Sequence, residues 1–304
     1  MTVSQKITSE TGPNFTIRTM RRDELAISVE WAAAEGWNPG LHDASCFYAA
    51  DEGGFLIGLL DGEPMASISV VKYESAFAFL GFYIVRSGFR GRGYGRKIWQ
   101  AGLERLKGCN VGLDGVVEQQ GNYLKSGFKL AHRNIRYEGV ANSEKRPVSM
   151  KGASMKETDD GEIVDLASVS VKEITAYDKA VFLYERSPFL RCWISSPHHY
   201  ALGVMHQGAL AGYGVLRPCQ KGYKIGPLFA DSAQFAEALF LALTAYVEPE
   251  NSFYLDVPSV NKAAVTLAEK YEMKSVFETA RMYTQKAPDL PLNRIFGITT
   301  FELG

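Results

Sequence analysis

The sequence predicts an α+β (mixed α/β) fold made of two similar units, each a mostly antiparallel sheet flanked by helices. Three observations carry this. Three successive segments, Phe55 to Leu60, Met65 to Tyr73 and Phe77 to Val85, are rich in apolar, β-branched and aromatic residues, and a helix, strand, helix, strand order follows them. The same order recurs in the second half, where Gly208 precedes Tyr283 by the interval that separates Gly62 from Tyr137, which predicts an internal duplication. Between the two units, Ala141 to Met155 is polar and aperiodic and carries Pro147 and Gly152, the composition of a linker. The expected domains are therefore residues 1–140 and 156–304, joined through 141–155.

Taken in order, Leu25, Val29, Ala32 and Ala33 recur at helical spacing between Asp23, a candidate cap, and Gly36, a candidate stop. Asp61-Gly62 supplies a hairpin turn between the first two strands. Trp99, Leu103 and Leu106 give the next helix one apolar face. Asn110 to Val117 reads as a strand, Asn122 to Ser126 as a short helix closed by Gly127, and Phe128 to Tyr137 as a strand. In the second half Gly208 to Leu216 and Tyr223 to Ala230 read as strands, and Asp231 is expected to cap a helix carrying Phe235, Leu239 and Leu243. Phe253 to Val257 is then a strand, Asn261 caps a helix to about Tyr271, and Phe277 to Tyr283 is the last strand.

Composition narrows the function. The 304 residues are 46% hydrophobic and 22% charged, enough apolar material for sizeable cores. Lys+Arg 33 against Asp+Glu 34 gives a net charge of -1, which argues against a nucleic-acid partner, although Arg86, Arg90, Arg92, Arg96 and Lys97 interleave with Phe89 and Tyr94. The start is polar where a signal peptide is apolar, and the longest apolar stretch, around Ala238 to Val247, is too short to cross a bilayer; a cytoplasmic protein with no membrane partner is expected. Cys46, Cys109, Cys192 and Cys219 form no CxxC pair and are expected to be reduced and buried. His198-His199 finds no third residue at metal spacing, so an exposed turn and no metal are expected.

The segment that carries chemistry is Phe82 to Lys97, FYIVRSGFRGRGYGRK: a strand, a loop with Gly88, Gly91, Gly93 and Gly95, and a helix. Such a loop turns backbone N–H groups toward one point, and the helix N-terminus adds its positive dipole end, so a pyrophosphate fits. A Walker A loop fails because Arg96-Lys97-Ile98 lacks the hydroxyl after the lysine, and a dinucleotide fingerprint fails because its third glycine falls on Arg96. Arg90-Gly91-Arg92-Gly93-Tyr94-Gly95 does match Q/R-x-x-G-x-G/A. With its flanking strand and helix it resembles the acetyl-CoA motif of the GNAT N-acetyltransferase superfamily, and Tyr123-Leu124-Lys125-Ser126-Gly127-Phe128 is similar to that family's YxKxGF segment.

The resemblance implies two GNAT-like domains with splayed central strands, and acetyl-CoA as the acyl donor. The pantetheine arm would pair with backbone groups of Tyr83 and Val85, the pyrophosphate would rest on the amides of Arg90, Gly91, Arg92, Gly93, Tyr94, Gly95 and Arg96, and Tyr123 would protonate the departing thiolate. The acceptor would be a primary amine of a small molecule or peptide, attacking directly. Many GNAT enzymes place a glutamate base on the strand equivalent to Phe77 to Val85, which here has no acid, so Glu35, Asp43 and Glu118 are the candidate bases, and Trp37 and Asn38 stand where the family builds its acceptor wall. The second half, where Gly226-Pro227-Leu228-Phe229-Ala230-Asp231-Ser232 replaces the glycine loop, resembles a degenerate GNAT unit serving as scaffold or acceptor wall. The tandem arrangement, with Arg281-Met282-Tyr283 and Phe296-Gly297-Ile298 near its end, is similar to bacterial two-domain GNAT proteins. A catalytically silent CoA-binding sensor or interaction module is the alternative. Neither the amine nor the oligomeric state is written in a short motif, because acceptor pockets are assembled from loops.

Overall fold

The structure, a computed structural model, describes residues 14–141 and 161–304. Apart from Ala141, the expected linker lies outside the described residues. The first half runs β1 (Phe15–Thr19), α1 (Leu25–Ala34), α2 (Asp43–Ala50), β2 (Phe55–Leu60), β3 (Glu63–Tyr73), β4 (Phe77–Val85), α3 (Tyr94–Arg105), β5 (Asn110–Val116), α4 (Gln120–Lys125) and β6 (Lys129–Val140). The second repeats it as β7 (Glu162–Asp165), α5 (Val171–Phe182), α6 (Ser187–Ser195), β8 (Tyr200–His206), β9 (Ala209–Pro218), β10 (Tyr223–Ala230), α7 (Ala233–Thr244), β11 (Ser252–Pro258), α8 (Lys262–Lys270) and β12 (Lys274–Tyr283), and adds β13 (Ile295–Gly297). The repetition reaches the turns. Asp61 and Gly62 (φ 51° and 90°) and Gln207 and Gly208 (φ 51° and 78°) join equivalent hairpins through two residues of positive φ, a conformation open to glycine at little cost.

Two caps differ from expectation. Asp23 lies inside a 3₁₀ turn, Arg22–Glu24, that leads into α1, so it is not at a cap position, and the Glu24 carboxylate accepts from the Arg21 N–H at 2.8 Å. At the start of α7 the cap is Ser232, which accepts from the Phe235 N–H at 3.1 Å, because Asp231 is held by Arg294 (2.8 Å) and the Tyr177 hydroxyl (2.9 Å). Asn261 caps α8 as expected.

Among the described residues one sheet runs β1-β2-β3-β4-β5-β12-β6-β11-β10-β9-β8-β7, with β13 attached to β10. The order shows an exchange: β12, the last strand of the second repeat, pairs antiparallel with β5 of the first, while β6, the last strand of the first, pairs antiparallel with β11 of the second. On each seam an arginine stands directly opposite an aspartate. Arg136 reaches Asp256 through Nε and Nη2 at 2.6 and 2.8 Å, and Arg281 reaches Asp114 at 2.9 and 2.6 Å. Burial alone would push Asp256 up, but Arg136 outweighs it and holds this carboxyl below the usual range.

Cores follow the same logic. One lies under α3 (Ile68, Val70, Ile98, Trp99, Phe128), one under α7 and α8 (Leu228, Leu239, Phe240, Leu255, Leu267), and the largest belongs to both repeats. There Phe47 of α2 stacks on Trp193 of α6 at 5.9 Å, and a Cys46–Cys192 disulfide ties these equivalent helices together. This corrects the expectation of four thiols: only Cys109 and Cys219 are free among the described residues, both buried. A separation of 146 residues hides the pairing, which depends on α2 meeting α6 in space. No helix among the described residues is long and apolar enough to cross a membrane.

Removing one partner of a buried, bidentate ion pair leaves the other charge uncompensated. Asp256→Asn should lower the unfolding free energy by about 3–5 kcal/mol, read as a shift of the denaturant midpoint at constant slope. A loss below about 0.5 kcal/mol, the range of ordinary surface substitutions, would show that the seam does not depend on this pair.

Candidate functional site

Strands β4 and β5 run parallel and paired from Phe77/Asn110 to Leu80/Leu113, then part. A bulge drives the separation. Phe82 takes φ 44° within β4, and the β3–β4 register slips between Ser67 and Ser69, so the end of β4 swings away from its neighbour. The wedge between Gly81–Val85 and Asp114–Val116 opens into a cavity of about 680 Å³, within the range of small-molecule sites.

The glycine loop forms one side. After a 3₁₀ turn at Ser87–Phe89, Gly91 and Gly93 adopt φ 76° and 84°, and α3 begins at Tyr94, so the first N–H groups of that helix face the cavity mouth. A Cβ on Gly95 would lie 2.8 Å from the Tyr83 hydroxyl, so this glycine lets α3 approach β4. Tyr83, Val85, Arg90, Gly91, Gly93, Gly95 and Arg96 all line the cavity. The side chains of Arg92 and Tyr94 do not: Arg92 is exposed over the Phe89 ring, and Tyr94 packs on Phe15 at 4.9 Å. Arg90 donates from Nε to the Val85 carbonyl at 2.8 Å and pairs with Glu35, so that carbonyl is engaged, not free.

Tyr123 enters from α4. Its ring lies against Gly115 of β5, where a Cβ would come within 2.2 Å, and stacks on Trp99 at 5.8 Å; Trp99 in turn packs on Tyr83 at 5.0 Å. Burial, with a smaller contribution from Tyr83, pushes the Tyr123 hydroxyl up to about 12, so it keeps its proton at any physiological pH.

Glu35, Trp37 and Glu118 also border the cavity, Glu118 as an exposed residue at its rim. Asn38 and Asp43 do not. Asn38 bridges to Lys221 and Cys219, and Asp43, 1% exposed, holds the Gly40 N–H at 3.0 Å and the Arg217 Nε at 3.1 Å. Sequence reasoning missed every lining residue that comes from the second repeat: Phe277, Thr279, Phe301 and Glu302. No local signal marks them. The sheet exchange places β12 there, and the terminal residues 301–304 lie buried against β3 and β4, with the Tyr73 hydroxyl donating to the Leu303 carbonyl at 2.8 Å.

The equivalent wedge in the second repeat is closed. β10 and β11 part after Ile225/Leu255, and β13 fills the gap, pairing Leu228 with Gly297 on one side while Ile298 N–H donates to the Asp256 carbonyl at 2.9 Å on the other. Only residues 231 and 232 connect β10 to α7. Gly226 and Pro227 lie within β10 itself. His198 is exposed and stacks on His42 at 3.7 Å, whereas His199, expected on an exposed turn, is buried with Nδ1 2.8 Å from the Trp193 carbonyl.

Comparison with known proteins agrees with this geometry. Residues 19–128 match the acetyltransferase (GNAT) family, and residues 174–297 match a second acetyltransferase (GNAT) domain family. A protein named holothin acyltransferase, from Pseudoalteromonas sp. (strain SANK 73390), is 30% identical over 95% of each chain. The chain belongs to the GNAT acetyltransferase family. This tandem GNAT protein shares its fold with a proposed acetyltransferase from Pyrococcus horikoshii (TM-score 0.78, 21% identity, 99% of each chain). It also resembles a tandem GNAT protein from the clavulanic acid biosynthesis pathway (TM-score 0.57, 10% identity, 90% of this chain and 100% of that one). The mostly antiparallel sheet and helices are the GNAT fold twice over, and acyl transfer is the family's chemistry.

If Asp43 is a counter-ion for Arg217 and not a base, Asp43→Asn should lower Tm by several degrees, as expected for a loss of about 3 kcal/mol, while acetyl-CoA affinity is unchanged and the alkaline-rising limb of the pH–rate profile is retained. Loss of the alkaline-rising limb in a variant of unchanged Tm would return Asp43 to the list of candidate bases.

Proposed function

We propose that this tandem GNAT protein moves an acetyl group from acetyl-CoA to a primary amine of a small molecule or peptide by direct attack, with residues 1–140 holding the donor. The observation that carries this is the wedge between β4 and β5 joined to a glycine loop and the start of α3, a slot for an extended arm ending in a cradle for a pyrophosphate. The exposed Arg92 and Arg96 stand on that cradle and would add charge to phosphate binding. To admit a backbone-paired arm at Val85, Arg90 must release the Val85 carbonyl. The relative named holothin acyltransferase makes holothin one acceptor worth testing.

Tyr123 is the proposed acid. Because its hydroxyl is pushed up to about 12, a free phenolate is unfavourable. Its proton moves to the departing sulfur as the attacking nitrogen gives up one of its own, so no charge accumulates on the ring. The second repeat is proposed as scaffold and acceptor wall. Its wedge is closed by β13, and the two residues between β10 and α7 leave no glycine loop there to cradle a pyrophosphate.

Gly93→Val places a β-branched side chain at φ 84° facing the cradle, and should weaken acetyl-CoA binding at least tenfold, about 1.4 kcal/mol, in calorimetric titrations where the parent chain binds one equivalent. Two equivalents, or an unchanged affinity in folded protein, would place the donor elsewhere.

Tyr123→Phe removes only the hydroxyl, so turnover should drop by roughly 10²-fold with donor affinity retained. A drop below about threefold would mean that water or another group protonates the thiolate, and binding of acetyl-CoA without thiol release toward any amine would favour the sensor alternative.

A further inference from the structure

β4 carries no acid, so the acceptor's base has to come from elsewhere on the cavity wall. Four carboxylates border the cavity: Glu35, Asp114, Glu118 and Glu302. Two of them are engaged and one is exposed. Glu35 pairs with Arg90, Asp114 holds Arg281 at 2.6 and 2.9 Å together with the Asn134 amide at 2.7 Å, and Glu118 is exposed at the rim. Glu302 differs. It is 5% exposed, and among the described residues its carboxyl forms no hydrogen bond or ion pair. A buried carboxyl that makes no direct hydrogen bond or ion pair costs free energy that a leucine in its place would not, and its oxygens stay free to meet a ligand.

Its placement suggests the role. The Glu302 main chain lies against Gly81, the residue at which β4 leaves β5; a Cβ on Gly81 would come within 2.3 Å of the Glu302 carbonyl. Glu302 therefore stands at the apex of the wedge, where an arm entering from the glycine loop would end. Beside it the cavity wall is aromatic: Trp37, Phe277 and Phe301, the last two with centroids 6.0 Å apart.

We propose that Glu302, carried into the first repeat's cleft by the C-terminal residues of the second, is the catalytic base that receives the acceptor as a primary ammonium and takes its proton. This rests on the acyltransferase reading above. R–NH₃⁺ gives one proton to the Glu302 carboxylate; the freed lone pair forms the C–N bond at the thioester carbonyl, and the C–S bond breaks with its electron pair on sulfur. The thiolate takes the Tyr123 proton, the second nitrogen proton restores Tyr123, and Glu302 releases its proton to water. The substrate class is a primary amine on an aromatic or apolar body, its cation at Glu302 and its body on the Trp37, Phe277 and Phe301 wall.

The charges facing Glu302 come from five elements: Lys224 on β10, Arg217 on β9, Arg136 on β6, Asp43 on α2 and, paired with Arg136, Asp256 on β11. Three cations meet two anions, so an ionised Glu302 completes the balance. Burial pushes its carboxyl above the usual range despite those cations, which suits a group that must accept a proton and then release it.

The test uses the full chain, acetyl-CoA, and phenethylamine, tryptamine and holothin as acceptors, with thiol release as readout. Glu302→Gln keeps volume and should lower kcat/KM by about 10²-fold or more, raise KM for the charged amines, and abolish the acidic limb of the pH profile, so that the residual rate follows the amine's own pKa, with acetyl-CoA affinity within twofold of the parent. Glu302→Ala should regain rate on addition of formate, which no packing role would produce. A folded Glu302→Gln chain within threefold of the parent with an unchanged profile, or a Glu302→Ala chain that formate does not rescue, overturns the assignment of Glu302 alone. A parent chain that binds acetyl-CoA and transfers nothing to any amine overturns the acyltransferase reading and this one with it.

Discussion

The structure depends on two buried arginine–aspartate pairs, Arg136–Asp256 and Arg281–Asp114, that sit across the seams where the repeats exchange their last strands. A strand end that donates or accepts in one register carries little preference for one partner over another, because backbone groups are alike everywhere. A charged pair buried at a single cross-strand position is selective: any slip leaves two unpaired charges in a dry interior. With both pairs made, β5, β12, β6 and β11 become one continuous surface, and neither repeat completes its sheet alone.

That exchange determines what the cleft can contain. β12 brings Phe277 and Thr279 to the edge of a cavity whose floor belongs to β4 and β5, and the chain beyond β12 then has two tasks in succession. It lays β13 into the wedge of the second repeat, where Gly297 fits because a Cβ would meet Leu255 at 2.5 Å, and it continues onto β3 and β4 to present Phe301 and Glu302 to the first. One short segment thus closes one wedge and furnishes the other. Duplication followed by this asymmetry explains why two copies of a fold leave one open site among the described residues: the segment that fills the gap in one copy has no counterpart over the other.

Electrostatics around the open wedge follow a gradient. Glycine-loop amides and exposed arginines line its outer end, an arrangement suited to phosphates, while the inner end holds aromatic rings, the high-pKa hydroxyl of Tyr123 and a buried carboxyl. Behind that carboxyl lies a knot of Arg136, Arg217, Lys224, Asp43 and Asp256 drawn from both repeats, with Lys224 lowered to about 8 by burial and held on the Asn38 carbonyl at 2.8 Å. Asn38 and Asp43, on sequence grounds candidates for the acceptor site, are part of that knot. They pack behind the wall and do not border the cavity.

What the sequence determined by itself is what short-range physics determines: helices and strands from periodicity, a hairpin from its Asp-Gly turn, the repeat from the order of elements, and the glycine-loop and YxKxGF motifs, each of which sits within a few residues of chain. The α+β class, the tandem GNAT relationship and most strand boundaries were legible for that reason. Tertiary structure decided the rest. Which strand lies beside β5, which cysteines meet, whether an aspartate caps a helix or neutralises an arginine, and which carboxyl ends up in the cleft all depend on residues far apart in the chain, 63 positions for Asp231 and Arg294 and 174 for Asp43 and Arg217. No local pattern encodes such a meeting, because its free energy comes from burying both partners at once in an environment that exists only after the sheet has closed.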